Sequence, residues 1–366
     1  MAHLLEQMAY VGQTPWHGLG NSLAPKQPIE VWAKQAGMDW QIQESEVRFM
    51  ADQVGHLGTI HTFADQKVLY RSDTKQALSV VSQRYQVVQP REVLEFYRDL
   101  TEIAGYELET AGVLKGGKKF WALAKTGQSM ALKGNDLVKG YLLLATSCDG
   151  TLATTATPTT IRVVCNNTLT IAVNGATQAI KVPHSTKFDA QAVKQQLGVA
   201  VSQWDTFMYR MRMLSERKVK SHEAMNYFLR VLCDTQTANA GEPTTLVNER
   251  ALKKVQSLYD GQGHGAALDS AKGTAWGLLN AITEYVDHEK RARSTESRMD
   301  SAWFGQGAAI KQRALDSTTT RSSACRASAR ISSLTRASWN TMSAPSIRRA
   351  ARTVSRSAAP GPAPTR

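Results

Sequence analysis

The segment YLLLATSCDGTLATTAT, residues 141–157, decides the fold class of this 366-residue chain. Two runs of apolar and β-branched residues flank Asp149 and Gly150, and such a dipeptide between two runs is a strong hairpin signal. The runs YELETAGVL and KKFWALAK flank Gly116 and Gly117 in the same way. The two hairpins together predict an antiparallel sheet.

A helical period interrupts the strand patterns at QPREVLEFYRDLTEIAG, residues 89–105. Pro90 suits the first turn of a helix, and Gly105 suits the position just after its end. A sheet of hairpins with a packed helix is an α+β arrangement. The sequence therefore predicts an α+β domain over residues 1–185.

Helical patterns dominate the second half of the chain, so we expect a helical region over residues 186–316 that packs on the first domain. Apolar residues from Val193 to Leu214 recur at alternating steps of four and three, which is a heptad seam about three repeats long. A helix with this seam either lies on the core or forms a contact between copies in a homo-oligomer. The sequence leaves both alternatives open.

The composition changes abruptly after Asp316. Residues 317–366 are mostly Ser, Ala, Arg, Thr and Pro, with nine arginines, no lysine and no acidic residue. This tail supplies most of the formal net charge of +13, and the rest of the chain is only mildly basic. Such a composition predicts disorder. The tail is either a phosphate-binding arm or the product of a frameshift, which the lysine-free composition favours.

The remaining features of the composition exclude several classes of protein. The chain has no apolar run long enough for a transmembrane helix, and its start lacks the pattern of a signal peptide, so we expect a cytoplasmic protein without membrane contact. Its four cysteines have neither CxxC nor zinc-ligand spacing. Phosphate-binding loops and hydrolase motifs are missing as well. We expect no cofactor and no metal.

The segment IRVVCNNTLTIAV, residues 161–173, holds the strongest candidate for a nucleophile, Cys165. A reactive thiol needs a nearby base, and no histidine lies in this segment. A buried strand that ends in a turn at Asn166 and Asn167 explains the segment better. Arg162 would then point to the opposite, open face of the sheet.

Basic residues alternate with aromatic ones in two segments. The first is the hairpin KGGKKFW, with Lys115, Lys118, Lys119 and Trp121. The second is YRMRMLSERKVK, which begins at Tyr209 and contains Arg210 and Arg212. Cations that neutralise phosphates beside rings that stack on bases are typical of single-stranded DNA binding. These residues and Arg162 are the predicted nucleic-acid contacts.

Several segments taken together closely resemble the phage/plasmid-like protein family, also called the domain of unknown function 932. They are TPWHGLG, YQVVQPREVLEFY, GYLLLATSCDGTLATTATPTTIRVVCNNTL and RMDSAWFGQGAAIKQRALD, and the resemblance spans roughly residues 5–316. It implies a gene of mobile elements but supplies neither a reaction nor catalytic residues. The family-motif residues are Trp16, His17, Gly18, Arg162, Cys165, Asn166, Asn167, Trp303, Phe304 and Gly305.

The sequence thus favours a non-enzymatic DNA-binding protein, for example one that binds or anneals single strands as a recombination accessory. The expected partners are single-stranded DNA and further copies of the chain. One alternative is an enzyme in which His17 serves as base or acid and Cys165 as nucleophile. Another is a protein-interaction factor that acts against host defence.

Overall fold

The two predicted hairpins form the centre of the main sheet in the computed structural model. Strand β6 (Glu107–Leu114) pairs with β7 (Lys119–Leu132), β7 pairs with β8 (Asp136–Ser147), and β8 pairs with β9 (Thr154–Arg162). All three pairings are antiparallel. The predicted α+β fold with an antiparallel sheet is therefore confirmed.

The structure describes most of the chain up to residue 318. The described ranges are 7–12, 20–53, 56–164, 167–173, 176–177, 179–201, 204–233 and 248–318. Residues Met1–Thr320 belong to one compact unit, and residues 321–366 lie outside the described residues. Of the predicted tail, only residues 317 and 318 are described, and both are helical.

Four shorter strands complete the main sheet within the described ranges. They are β1 (Gln7–Val11), β2 (Asn21–Leu23), β10 (Asn167–Thr170) and β13 (Ile180–Val182). The strand order is β10-β9-β8-β7-β6-β1-β2, and β13 also pairs with β9. β1 and β2 run parallel to each other, whereas the other neighbours are antiparallel. A separate small hairpin joins β11 (Ala172–Val173) to β12 (Ala176–Thr177).

A second antiparallel sheet contains β3 (Ile42–Gln53), β4 (His56–Arg71) and β5 (Ala77–Ser82). β5 pairs with β4 only over Gln66 to Tyr70, so the outer part of the β3–β4 hairpin is a two-stranded ribbon. We call residues 47–63 the β3–β4 arm. Its large apolar side chains Phe49, Met50, Ile60 and Phe63 are exposed.

The described helices cover both faces of the main sheet. They are α1 (Ile29–Gln35), α2 (Pro90–Glu95), α3 (Arg98–Glu102), α4 (Ala190–Val201), α5 (Trp204–Glu216), α6 (Ser221–Leu232), α7 (Glu249–Ser257), α8 (Ala275–Glu284), α9 (Thr295–Phe304) and α10 (306–318). Helix α7 continues as a π-helical turn over Leu258–Gln262, and α8 does so over Tyr285–Glu289.

The helix predicted over residues 89–105 is divided into α2 and α3. Pro90 opens α2 as expected, and the Glu92 carboxylate accepts a hydrogen bond from the backbone N–H of Gln89 at its start, at 2.6 Å. The helix breaks at Phe96 and Tyr97, both of which are buried in the core between the helices and the sheet. The local period thus predicted the helical conformation, whereas tertiary packing set the break.

The heptad seam is buried inside the molecule. Val193 and Leu197 on α4 join the core that contains α1 and α2, whereas Trp204, Phe207 and Met211 on α5 join a second core built around α8. All five side chains are almost fully buried. These five positions of the seam therefore pack on the protein's own cores.

Candidate nucleic-acid interface

The β6–β7 hairpin turns through four residues, Lys115 to Lys118, rather than the predicted two. Lys115, Gly116 and Gly117 all have positive φ angles, of 53°, 66° and 96°. Glycine adopts such angles without strain, so the two glycines make this turn accessible to the chain. The turn directs the first cluster of predicted lysines toward helix α9.

Two of the hairpin lysines form ion pairs with Asp300 on α9. The Lys115 ammonium lies 2.8 Å from one carboxylate oxygen of Asp300, and the Lys119 ammonium lies 2.6 Å from the other. Lys119 is only 5% exposed and also lies over the ring of Phe304. Lys118 is partly exposed. Lys115 and Lys119 therefore connect the hairpin to α9, whereas Lys118 stays partly exposed in the turn.

Trp121, the ring predicted to stack on bases, is buried. Its side chain is 1% exposed and meets the Trp303 ring edge-on, with 5.0 Å between the ring centroids. A ring stacks on a base only where one of its faces is open. The expectation of an exposed ring on this hairpin is thus wrong, because α9 covers this face of the sheet.

Arg162 is also buried, although the alternation of residues 161–165 predicted an open face. It is 3% exposed, and its Nε donates to both carboxylate oxygens of Asp136, at 2.7 and 2.9 Å. Its guanidinium also donates to the carbonyl oxygen of Gly265. The prediction failed because the 264–274 segment and α8, more than 100 residues later in the chain, cover this face.

Asp136 is the centre of a buried polar cluster. Besides Arg162, its carboxylate accepts hydrogen bonds from the Ser270 hydroxyl at 2.6 Å and from the indole N–H of Trp276 at 2.9 Å. Three donor groups thus make four hydrogen bonds to an almost completely buried carboxylate. Hydrogen bonds to the remaining lone pairs help to offset the cost of removing a buried ion pair from water, and the cluster fixes the 264–276 segment against the sheet.

A second buried pair lies at the π-helical turn after α8. The Asp287 carboxylate accepts hydrogen bonds from the backbone N–H and the hydroxyl of Thr168, and from the Lys311 ammonium at 2.7 Å. Next to it, the His288 ring is hydrogen-bonded to the side-chain oxygen of Asn167. Asn167 is the one residue of the predicted Asn pair within the described ranges. Both contacts attach edge strand β10 to the helices.

The other family-motif residues fall into two groups. Trp303 and Phe304 end α9 and face the sheet, and Gly305 separates α9 from α10. The second group lies outside the described residues and comprises Trp16, His17, Gly18, Cys165 and Asn166. The enzymatic alternative through His17 and Cys165 therefore stays a prediction.

The second predicted segment remains accessible at the surface of α5. Tyr209 is 60% exposed, and Arg212, one turn later, is exposed with its guanidinium 3.6 Å from the Met130 sulfur. Arg210 is half-buried, and burial lowers its pKa while the Asp316 carboxylate opposes that shift. Lys218 and Lys220, just after the helix, are exposed as well. The structure thus leaves an exposed ring beside an exposed guanidinium.

Lys133 and Lys272 also belong to this region, although no sequence pattern indicated them. The Lys218 ammonium donates to the carbonyl oxygen of Lys272, and the 133–135 turn meets Asp269 of the same segment. Lys133 and Lys272 are exposed. We call Tyr209, Arg212, Lys218, Lys220, Lys133 and Lys272 together the α5 basic surface. The exposed acids Glu216 and Asp269 leave it with an excess of positive charge.

Comparison with protein families assigns the chain to one group. Residues 77–303 match a family described as a domain of unknown function, DUF932. The chain belongs to this family. The match begins at β5 and ends inside α9, so it contains the hairpins, the Asp136 cluster and the α5 basic surface. No curated protein and no solved structure is significantly similar to the chain.

Two further properties concern the described residues alone. Across these ranges, no helix is long and apolar enough to cross a membrane. Within the same ranges, no group of three or more His, Cys, Asp or Glu side chains is arranged to hold a metal ion.

Proposed function

We propose that this protein binds single-stranded nucleic acid without catalysing a reaction, and that it contacts the strand through the α5 basic surface. The observation that supports the proposal is that Tyr209 and Arg212 are both exposed and lie three residues apart on α5. Residues three apart in a helix are neighbours on its surface. A base stacked on the Tyr209 ring therefore brings its phosphate within reach of the Arg212 guanidinium.

The chemistry of this surface favours a single strand over a duplex. Stacking on an aromatic ring needs an unpaired base, and it contributes about 1–3 kcal/mol for each base in proteins of this kind. The lysines after α5 supply charge that neutralises phosphates regardless of sequence. A role in strand annealing or recombination would suit a gene of mobile elements, which is what the resemblance to phage- and plasmid-borne proteins implies.

Fluorescence anisotropy with a labelled single-stranded oligonucleotide and its duplex, across a salt series, tests the proposal. The nine arginines of the tail would bind any polyanion, so both the full chain and a chain that ends at Thr320 are measured. We expect Tyr209→Ala to weaken single-strand binding about ten-fold with an unchanged salt slope. Arg212→Gln should reduce that slope by about 0.7, which is the value for one phosphate contact on a single strand.

Two controls locate the site. Lys253→Ala removes an exposed lysine from α7, on a different helix, and should leave the affinity and the salt slope unchanged. Lys118→Ala tests the partly exposed lysine of the β6–β7 hairpin. The α5 site is refuted if the Tyr209 and Arg212 variants bind like the wild type. If only Lys118→Ala lost affinity, the strand would bind at the β6–β7 hairpin instead.

A further inference from the structure

A cavity of about 260 Å³ lies between the main sheet and helices α9 and α10, apart from the α5 basic surface. Its floor includes threonines of the sheet, and its opposite wall includes Trp303, Phe304 and Ala308. Proteins bind benzene in cavities of about 150 Å³. The volume is therefore large enough for a ring system with a short substituent.

The aromatic wall of the cavity is fixed in place before any ligand enters. Trp303 is held edge-on by the buried ring of Trp121, and Phe304 lies beneath the Lys119 ammonium. Asp300, on the same helix, is anchored by two lysine ion pairs. A wall whose orientation is already set costs a ligand little ordering entropy, and flat aromatic walls pack well against a flat ring.

The polar groups of the cavity select the charge of the ligand. Lys311 lines the cavity, but its charge is compensated by the buried carboxylate of Asp287. Lys181 also lines the cavity and is exposed at its rim, and no described residue forms an ion pair with it. Thr157 and Thr170 add hydroxyls that have no hydrogen bond to another described side chain or backbone group. The uncompensated charge at the rim is thus positive.

We propose that this cavity binds a small aromatic carboxylate, with the ring between the sheet threonines and Trp303 and the carboxylate at the Lys181 ammonium. Mostly apolar walls with a few convergent polar groups are the usual chemistry of small-molecule sites. A neutral aromatic molecule of the same shape fits the walls equally well but lacks the ion pair with Lys181. The ligand is therefore distinguished by its charge as well as by its size.

Calorimetric titration of the full chain with indole-3-carboxylate, and with the uncharged indole-3-carboxamide, tests this site. We expect saturable binding of one carboxylate for each chain, with the amide weaker. Lys181→Met should weaken the carboxylate about five-fold and leave the amide unchanged, because it removes only a partly exposed ion pair. Lys187→Met removes an exposed lysine outside the cavity and should change neither affinity.

A second pair of variants keeps the test decisive if one protein folds poorly. Ala308→Leu fills the cavity and should abolish binding of both probes. Trp303→Phe keeps a ring in the wall and should weaken binding of both probes less than Ala308→Leu does. The proposal is overturned if the carboxylate shows no saturable binding at millimolar concentration. It is also overturned if a folded Ala308→Leu protein binds it as tightly as the wild type does.

Discussion

The buried ion pair between Asp136 and Arg162 contributes to stability only while it is complete. Asp136→Ala would leave the Arg162 guanidinium 3% exposed without a counter-charge, and the donors of Ser270 and Trp276 would lose their acceptor. Removing one partner of a buried pair typically costs about 3–5 kcal/mol. We expect the free energy of unfolding, measured by urea denaturation, to fall by about this amount.

An exposed ion pair provides the matched control. Glu46 accepts from Arg48 at 3.1 Å, and both side chains are largely in solvent. Glu46→Ala should change the free energy of unfolding by less than about 1 kcal/mol, because water and salt screen such a pair. Similar losses in the two variants would mean that the Asp136 cluster is open to water in solution.

Arg162 shows which properties of a residue can be predicted from the sequence and which cannot. Alternation along the sequence predicts which residues share a face with Arg162, but it carries no information about which face is later covered. The covering residues, such as Gly265 and Trp276, lie more than 100 positions further on. Tyr209 was easier to place, because the period of α5 itself separates its exposed face from its buried face.

The β3–β4 arm has no third strand paired with it among the described residues. A two-stranded ribbon is marginally stable in water unless a third strand or a helix packs on it. β5 supplies the third strand only at Gln66 to Tyr70, and Ile60 in the outer part is 68% exposed. We therefore expect the backbone amides of the arm to open locally far more often than those near β5.

Hydrogen–deuterium exchange with mass spectrometry measures this difference directly. Hydrogen-bonded amides within residues 58–63 should exchange at least ten-fold faster than those within residues 66–70 of the same strand. Residues 120–124, in the centre of the main sheet, are the protected reference. Equal protection along β4 would contradict the expectation and would indicate that another surface covers the arm in solution.

Elements were predicted where their signals are local. The dipeptides at 116–117 and 149–150 placed both central hairpins, and Pro90 placed the start of α2. The β3–β4 arm is exposed on both sides, and its sequence lacks a clean alternation. The cavity beneath α9 and α10 had no sequence signal, since its walls come from segments about 150 residues apart.

Across the whole molecule, buried tyrosine hydroxyls and a buried cysteine thiol make the folded state sensitive to alkaline pH. Burial raises the pKa of the Tyr97, Tyr85 and Tyr227 hydroxyls, each of which donates to a backbone carbonyl oxygen. Burial, with a smaller contribution from Asp149, also raises the pKa of the Cys148 thiol to about 12. The folded protein therefore retains protons that the unfolded chain releases near the ordinary values of these groups.

The sign of the pH dependence follows from this difference in bound protons. An unfolded chain releases tyrosine protons near pH 10, so above that pH it binds fewer protons than the folded protein does, and the free energy of unfolding falls as the pH rises. We expect tyrosine absorbance at 295 nm to rise in two stages, with the second coinciding with the loss of far-ultraviolet circular dichroism. A single smooth titration with unchanged dichroism would instead mean that these hydroxyls exchange freely with solvent, and that the cores around Tyr97 and Tyr227 are looser than their hydrogen bonds indicate.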